Sequence, residues 1–127
     1  MNIQLNHTIV WTHDRDKSAH FLTGILGLPE ATPYGPFLVV AMSNHVSLDF
    51  CETNKEIAPQ HYAFLVTETE FDAIFKRICE LKLDYWAYPG QTRLGQMSYN
   101  DGGRGLYFND PNGHLLEIIT TPYGGGS

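Results

Sequence analysis

Four side chains in this 127-residue chain are spaced as two related pairs. His7 and His61 lie 54 positions apart, and Asp49 and Glu117 lie 68 apart. Each pair sits in a stretch that matches its counterpart. At the first offset Asp14 falls on Glu68, Asp16 on Glu70 and Phe21 on Phe75. At the second, Asn44-His45-Val46-Ser47-Leu48-Asp49 falls on Asn112-Gly113-His114-Leu115-Leu116-Glu117. Two imidazoles with one or two carboxylates make a donor set for a divalent cation. Imidazole suits iron, nickel, zinc and copper, and carboxylate adds charge balance. Taken alone, His7 reads as a hydrogen-bonded structural residue, and Glu117 as an ion-pair partner or an outward residue at a sheet edge. The matched spacing shifts the balance toward a metal: if a duplicated unit of about fifty residues packs with pseudo-twofold symmetry, the equivalent side chains can converge at one axis.

The elements that must position these residues follow the same repeat. Leu5 to His13 alternates and is β-rich, so it reads as a strand. Asp14 caps a helix that runs to about Gly27, with Ala19, Leu22, Ile25 and Leu26 as its apolar stripe and Phe21 flanking it. Gly27-Leu28-Pro29 ends it. Strands follow around Pro36 to Met42 and His45 to Glu52, and Thr53 to Pro59 reads as a linker. The second copy opens with a strand over Gln60 to Thr67. Thr67 with Glu70 matches a capping box, and Phe71, Ile74, Phe75, Ile78 and Leu81 have core spacing on the next helix. A short strand covers Asp84 to Tyr88, and Pro89 to Gly103 reads as a long loop. Arg104–Asn109 and His114–Thr120 form a hairpin around Asp110-Pro111-Asn112-Gly113. Alternation puts His7 on a face with Ile9 and Trp11, and His61 with Ala63 and Leu65. Ser47, Asp49 and Cys51 share a face, as do Leu115, Glu117 and Ile119. A carboxylate on such a face needs a partner, since an unpaired buried charge costs several kcal/mol.

Composition narrows the partners. Eight Lys and Arg against 14 Asp and Glu give a net charge of −6, and no basic stripe exists to displace phosphate counterions. Nucleic acid and anionic membranes are therefore not expected partners. No run of about 18 apolar residues is present, which argues against a membrane-spanning helix. No secretory leader is visible in Met1-Asn2-Ile3-Gln4-Leu5. Two cysteines, Cys51 and Cys79, are too few for a disulfide framework, so a reducing cytoplasm is the expectation. Cys51 is expected to be a small buried thiol, Cys79 to lie in the core, and His13, His20 and His114 to be surface or turn residues.

Together these residues resemble the vicinal-oxygen-chelate superfamily, the glyoxalase/bleomycin-resistance/dioxygenase group. The resemblance rests on Leu5-Asn6-His7, on the helix end Ile25-Leu26-Gly27-Leu28 and on His61-Tyr62-Ala63-Phe64. Its most specific part is Leu106-Tyr107-Phe108-Asn109-Asp110-Pro111-Asn112-Gly113-His114-Leu115-Leu116-Glu117. It covers almost the whole chain. It implies an α+β fold of two βαβββ modules, residues 1–53 and 60–121 of one 1–127 domain, forming an open, cup-shaped mixed sheet. It also implies a homodimer, and His7, His61 and Glu117 as the metal triad. Asp49 lies where glyoxalase I and related epimerases carry a fourth ligand. The shorter aspartate leaves open a carboxylate that instead bonds substrate or a ligand histidine. Tyr107 lies where extradiol dioxygenases and fosfomycin-modifying transferases place a tyrosine beside substrate; its alternative is an ordinary inward aromatic.

The expected chemistry is chelation of a small substrate through two adjacent oxygens, with the metal stabilising negative charge. Three protein ligands leave positions open for substrate and dioxygen, the facial-triad pattern of Fe(II) oxygenases. Four favour proton transfer with a carboxylate base. With Asp49 not ligating, the reading leans to an Fe(II) extradiol-type dioxygenase, with Mn, Ni or Zn as other candidate metals. A glyoxalase- or epimerase-type lyase or isomerase using Asp49, and a non-catalytic drug-binding protein, are the alternatives. Trp11, Ser47 and Tyr107 are expected to meet the substrate. Arg104 or Arg93 is a candidate for a substrate anion, against the simpler reading of solvated loop charge. Fosfomycin-type members carry a threonine where this chain has Ile9 and an arginine after the glutamate. Here Pro122-Tyr123-Gly124-Gly125-Gly126-Ser127 follows without one, so a phosphonate substrate is not expected.

Overall fold

The structure, a computed structural model, describes residues 2–125; Gly126 and Ser127 of the terminal Gly-Ser stretch lie outside them. The chain divides into two compact units, residues 1–58 and 59–127. The first contains β1 (His7–Thr12), α1 (Arg15–Leu26), β2 (Thr32–Tyr34), β3 (Phe37–Ala41) and β4 (Ser47–Glu52). The second contains β5 (His61–Leu65), α2 (Glu68–Glu80), β6 (Tyr85–Tyr88), β7 (Thr92–Leu94), β8 (Gly105–Asn109) and β9 (Leu115–Ile119). This is an α+β fold of two βαβββ units, the second with one added strand.

Both sheets are wired alike. The first has the order β1-β4-β3-β2 and the second β5-β9-β8-β6-β7. The strand that opens each unit lies parallel to the strand that closes it, and the other pairings are antiparallel. His7 pairs with Ser47 and His61 with Leu115. The two registers therefore reproduce both sequence offsets, 54 along the opening strands and 68 along the closing ones. In each unit the acid, Asp49 or Glu117, lies two residues beyond the partner of the histidine.

Local chemistry sets the helix ends. The Asp14 side chain accepts from the Lys17 N–H, and Gly27 closes α1 at φ 71°, where a side chain would be strained. Thr67 and Glu70 form the reciprocal capping box of α2. The core of the first unit is Val10, Leu38, Val40, Leu48 and Phe50 beneath Ala19, Leu22 and Ile25 of α1. In the second unit Phe71, Ile74 and Ile78 of α2 are buried, as are Leu106, Phe108, Leu116 and Ile118 of β8 and β9. Alternation leaves Glu117 and Tyr107 on the other face of that sheet.

Several expectations need correction. Leu26 is only half-buried, and Leu81 is exposed because α2 ends at Glu80. Cys79 is exposed, since the stripe of Phe71, Ile74 and Ile78 faces away from it. His114 is buried: its Nδ1 accepts from the Gln60 N–H at 3.0 Å, and its ring meets Tyr62 edge-on. The Pro89–Gly103 stretch is not plain loop. It turns back at Gly90 and Gln91, adds β7 to the sheet edge beside β6, and ends in a short 3-10 turn, Asn100–Gly102. Among the described residues no helix is long and apolar enough to cross a membrane.

Candidate metal and substrate site

In the second unit, β5 presents His61, and its parallel neighbour β9 presents Glu117 one row along the same face. His61 Nε2 lies 3.1 Å from Glu117 Oε1. The other ring nitrogen, Nδ1, lies 3.0 Å from the Leu115 carbonyl oxygen. A carbonyl only accepts, so Nδ1 carries the hydrogen and donates. In the neutral ring this leaves the Nε2 lone pair aimed at a carboxylate oxygen. With the ring protonated the contact is an ion pair; with the ring neutral two acceptors face each other, and a cation between them would compensate the buried carboxylate, which is 2 % exposed.

A divalent metal fits that donor set. Ligand nitrogen and oxygen atoms sit roughly 2.0–2.2 Å from such an ion, so two neighbouring ligands stand about 3 Å apart. The histidine–carbonyl bond is the outer contact that orients a ligating imidazole and fixes its tautomer.

Two tyrosines complete the group. Tyr107 pairs with Glu117 across β8 and β9, and its ring stacks on His61 at 5.8 Å between centroids. Tyr123, in the turn that follows β9, donates to Glu117 Oε1 at 2.7 Å and Oε2 at 2.9 Å. The Tyr107 hydroxyl lies 3.4 Å from that of Tyr123. Tyr88, Ser98, Arg104, Tyr107, Glu117 and Tyr123 are among the residues lining a small, open-mouthed cleft of about 40 Å³. Sequence reasoning missed Tyr123. Its only signal was a lone aromatic in a glycine-rich end.

Burial pushes the Tyr107 phenol far above its usual range, and hydrogen bonding to Tyr123 and Glu117 adds to the shift. Burial also raises Tyr123, with Glu117 contributing. Tyr107 is thus a neutral donor at physiological pH, not a base. Folding favours its protonated form. That stabilisation is whole below about pH 10, the unfolded value, and is lost as pH rises through the folded value. A tyrosinate absorbance titration should therefore show phenols ionising well after the ordinary step, with Tyr107→Phe removing one of them. Ionisation of all seven tyrosines in one step near pH 10 would contradict this picture.

In the first unit His7, Ile9 and Trp11 of β1 share a face with Ser47, Asp49 and Cys51 of β4. His7 is exposed, with Nδ1 2.7 Å from Asn6 Oδ1. Asp49 is buried and accepts from the Ser47 hydroxyl at 2.7 Å. Trp11 is about half-exposed. Arg104 is engaged elsewhere than a free anion site would require. Its guanidinium pairs with Glu68 at 2.7 Å and Asp72 at 2.9 Å, and lies 4.3 Å over the Phe71 ring. Arg93 is on the exposed edge strand β7. A further acidic group, Asp14, Asp16 and Glu52, is exposed. Asp14 caps α1 there, and Glu52 accepts from the Arg15 N–H.

The family model described as Glyoxalase/Bleomycin resistance protein/Dioxygenase superfamily matches residues 4–118. The metallothiol transferase FosB of Shouchella clausii is 30% identical over 91% of this chain and 79% of its own length. The glutathione transferase FosA of Serratia marcescens is 28% identical over 90% of this chain and 78% of its own length. Among solved structures, oxidase ChaP-H1 is 58% identical with a TM-score of 0.96, covering 98% of this chain and all of that one.

Proposed function

The chain belongs to the glyoxalase/bleomycin resistance protein/dioxygenase superfamily, and from that membership we propose a divalent-metal-dependent enzyme that chelates a small substrate through adjacent oxygens. The observation that carries the proposal is the His61 Nε2 to Glu117 Oε1 approach at 3.1 Å, with the histidine tautomer set by the Leu115 carbonyl. His61 and Glu117 hold the metal with His7 as third ligand. When bound, that ion acts as a Lewis acid toward the substrate oxygens.

The remaining roles fall to this chain's own groups. Tyr107, neutral and stacked on His61, donates a hydrogen bond to a substrate oxygen. Trp11 and Ser47 contribute apolar and polar contact. Asp49, its Oδ1 occupied by Ser47, serves as a fixed acceptor or base rather than a ligand. With three protein ligands, the reaction favoured is an Fe(II) extradiol-type dioxygenation of an aromatic diol or a similar chelator. The oxidase name of the 58% identical relative supports an oxidative branch. The metallothiol transferase name of the 30% identical relative supports a metal site. The active form is a homodimer in the reducing cytoplasm. Ile9, apolar and exposed beside His7, suits a subunit contact.

Protein purified without chelator should carry one equivalent of divalent metal per chain. Reconstituted with Fe(II), it should consume oxygen with a catechol panel. Isomerisation of a hemithioacetal without oxygen uptake would move the chain to the glyoxalase type, with Asp49 as base. Absence of stoichiometric metal would reduce it to a small-molecule binder.

A further inference from the structure

We propose that Tyr123 is a positioning residue for Glu117, delivered by the C-terminal turn to hold the carboxylate in its ligating orientation. This rests on the metal reading above and assigns a part to a residue which that reading leaves without one.

The contact is end-on. One hydroxyl lies 2.7 Å from Oε1 and 2.9 Å from Oε2, so its single proton is shared between both oxygens. That geometry fixes rotation of the carboxylate about its terminal bond. It leaves the side of Oε1 that faces His61 Nε2 for a cation. The terminal torsion of a glutamate is otherwise broad and roughly two-fold, so an unrestrained carboxylate would sample many orientations.

The ring does not explain its own placement. Tyr123 is 66 % exposed, so burial of apolar area contributes little to holding it. What it gains at this position is the hydroxyl contact to a buried charge, a hydrogen bond of the strong, charge-assisted kind.

The backbone brings it there. The Arg104 N–H donates to Thr120 Oγ1 at 2.8 Å, and the Thr120 N–H donates to the Arg104 carbonyl at 3.0 Å. Beside that anchor, a Cβ on Gly103 would overlap the hydroxyl oxygens of Thr120 and Thr121. Glycine at 103 lets the segment pass close to the loop before β8, and Tyr123 follows two residues after Thr121. The 3-10 turn at Asn100–Gly102 packs against the one at Tyr123–Gly125.

The test is Mn(II) binding to the full chain by equilibrium dialysis, for the unaltered protein, Tyr123→Phe and Tyr123→Ala. Co(II) visible absorption of the saturated proteins reports ligand geometry independently of activity. Loss of the hydroxyl should weaken Mn(II) binding about tenfold, the lower end of what outer-contact losses cost. It should also shift the Co(II) bands. Tyr123→Phe and Tyr123→Ala should behave alike, with the same modest fall in unfolding midpoint, since both lose one hydrogen bond to a buried carboxylate and the exposed ring adds little. Affinity and Co(II) bands that match the unaltered protein in Tyr123→Phe would overturn the assignment, as would an effect in Tyr123→Ala alone. An unaltered chain that binds no Mn(II) would instead sink the metal reading beneath it.

Discussion

Glu117→Gln should abolish stoichiometric divalent-metal binding, with affinity falling by more than the roughly 10–100-fold that loss of an outer contact costs. The variant is nearly isosteric: its amide oxygen can still accept from Tyr123 and its N–H can donate to His61 Nε2, while the charge is lost. Stability should hold or rise, because a neutral amide replaces a carboxylate that is 2 % exposed. His61→Ala should have a comparable effect on the metal. His7→Ala is the sharper measurement. His7 belongs to the first unit, and its ring contacts Asn6 there. A loss of affinity equal to that of His61→Ala, read by dialysis against Mn(II) or Fe(II), would require that one ion draws on both units. Unchanged affinity in His7→Ala would refute the three-ligand reading and leave a two-residue site in the second unit.

How much of this was legible depends on whether the cause was local. The caps of both helices were, because Asp14 and the Thr67–Glu70 pair bond to backbone within three residues of themselves. The Asp110–Gly113 turn was too. Asp110 Oδ1 accepts from the Asn112 and His114 N–H groups, and Gly113 supplies φ 85°. His61 and Glu117 were paired in the sequence only through the family resemblance; the offsets relate one unit to the other, and the parallel β5–β9 register that sets them side by side is a long-range pairing. Features set by distant pairing were hidden. β2 contains Pro33 and has only three residues, so it shows no alternation to detect. β7 exists because Trp86 pairs with Leu94, after a turn in which Gln91 adopts positive φ without being glycine. His114 is buried because of Gln60, 54 residues away. Tyr123 meets Glu117 because the chain crosses Gly103, which no periodicity marks. Arg104 looked free for an anion until α2 placed Glu68 and Asp72 beside it.

Phe71→Ala should cost about 3–5 kcal/mol of folding stability, the range for emptying a fully buried aromatic site. Phe71 is 0% exposed and is the first buried residue of α2. It fills the space between the helix and its sheet, and its ring is the platform for the Arg104 guanidinium. Arg104→Ala is the control for that second role. Its partners Glu68 and Asp72 are well exposed, with side chains 60% and 69% accessible, so solvent screens both pairs and their loss should matter little. Phe71→Leu should fall between the two, since it refills part of the cavity. Chemical denaturation of the three variants reads the order directly. Equal losses for Phe71→Ala and Arg104→Ala would mean that α2 is held by its charges rather than by its apolar stripe. Metal binding separates core from site. Phe71 lies under the sheet with Leu116 and Ile118, while Glu117 points from the opposite face. Folded Phe71→Ala protein should therefore keep the Mn(II) affinity of the unaltered chain, although far less denaturant would unfold it. A parallel loss of affinity would show that the Glu117 carboxylate depends on how α2 packs, and that its hydrogen bonds to Tyr123 and His61 are not enough to hold it.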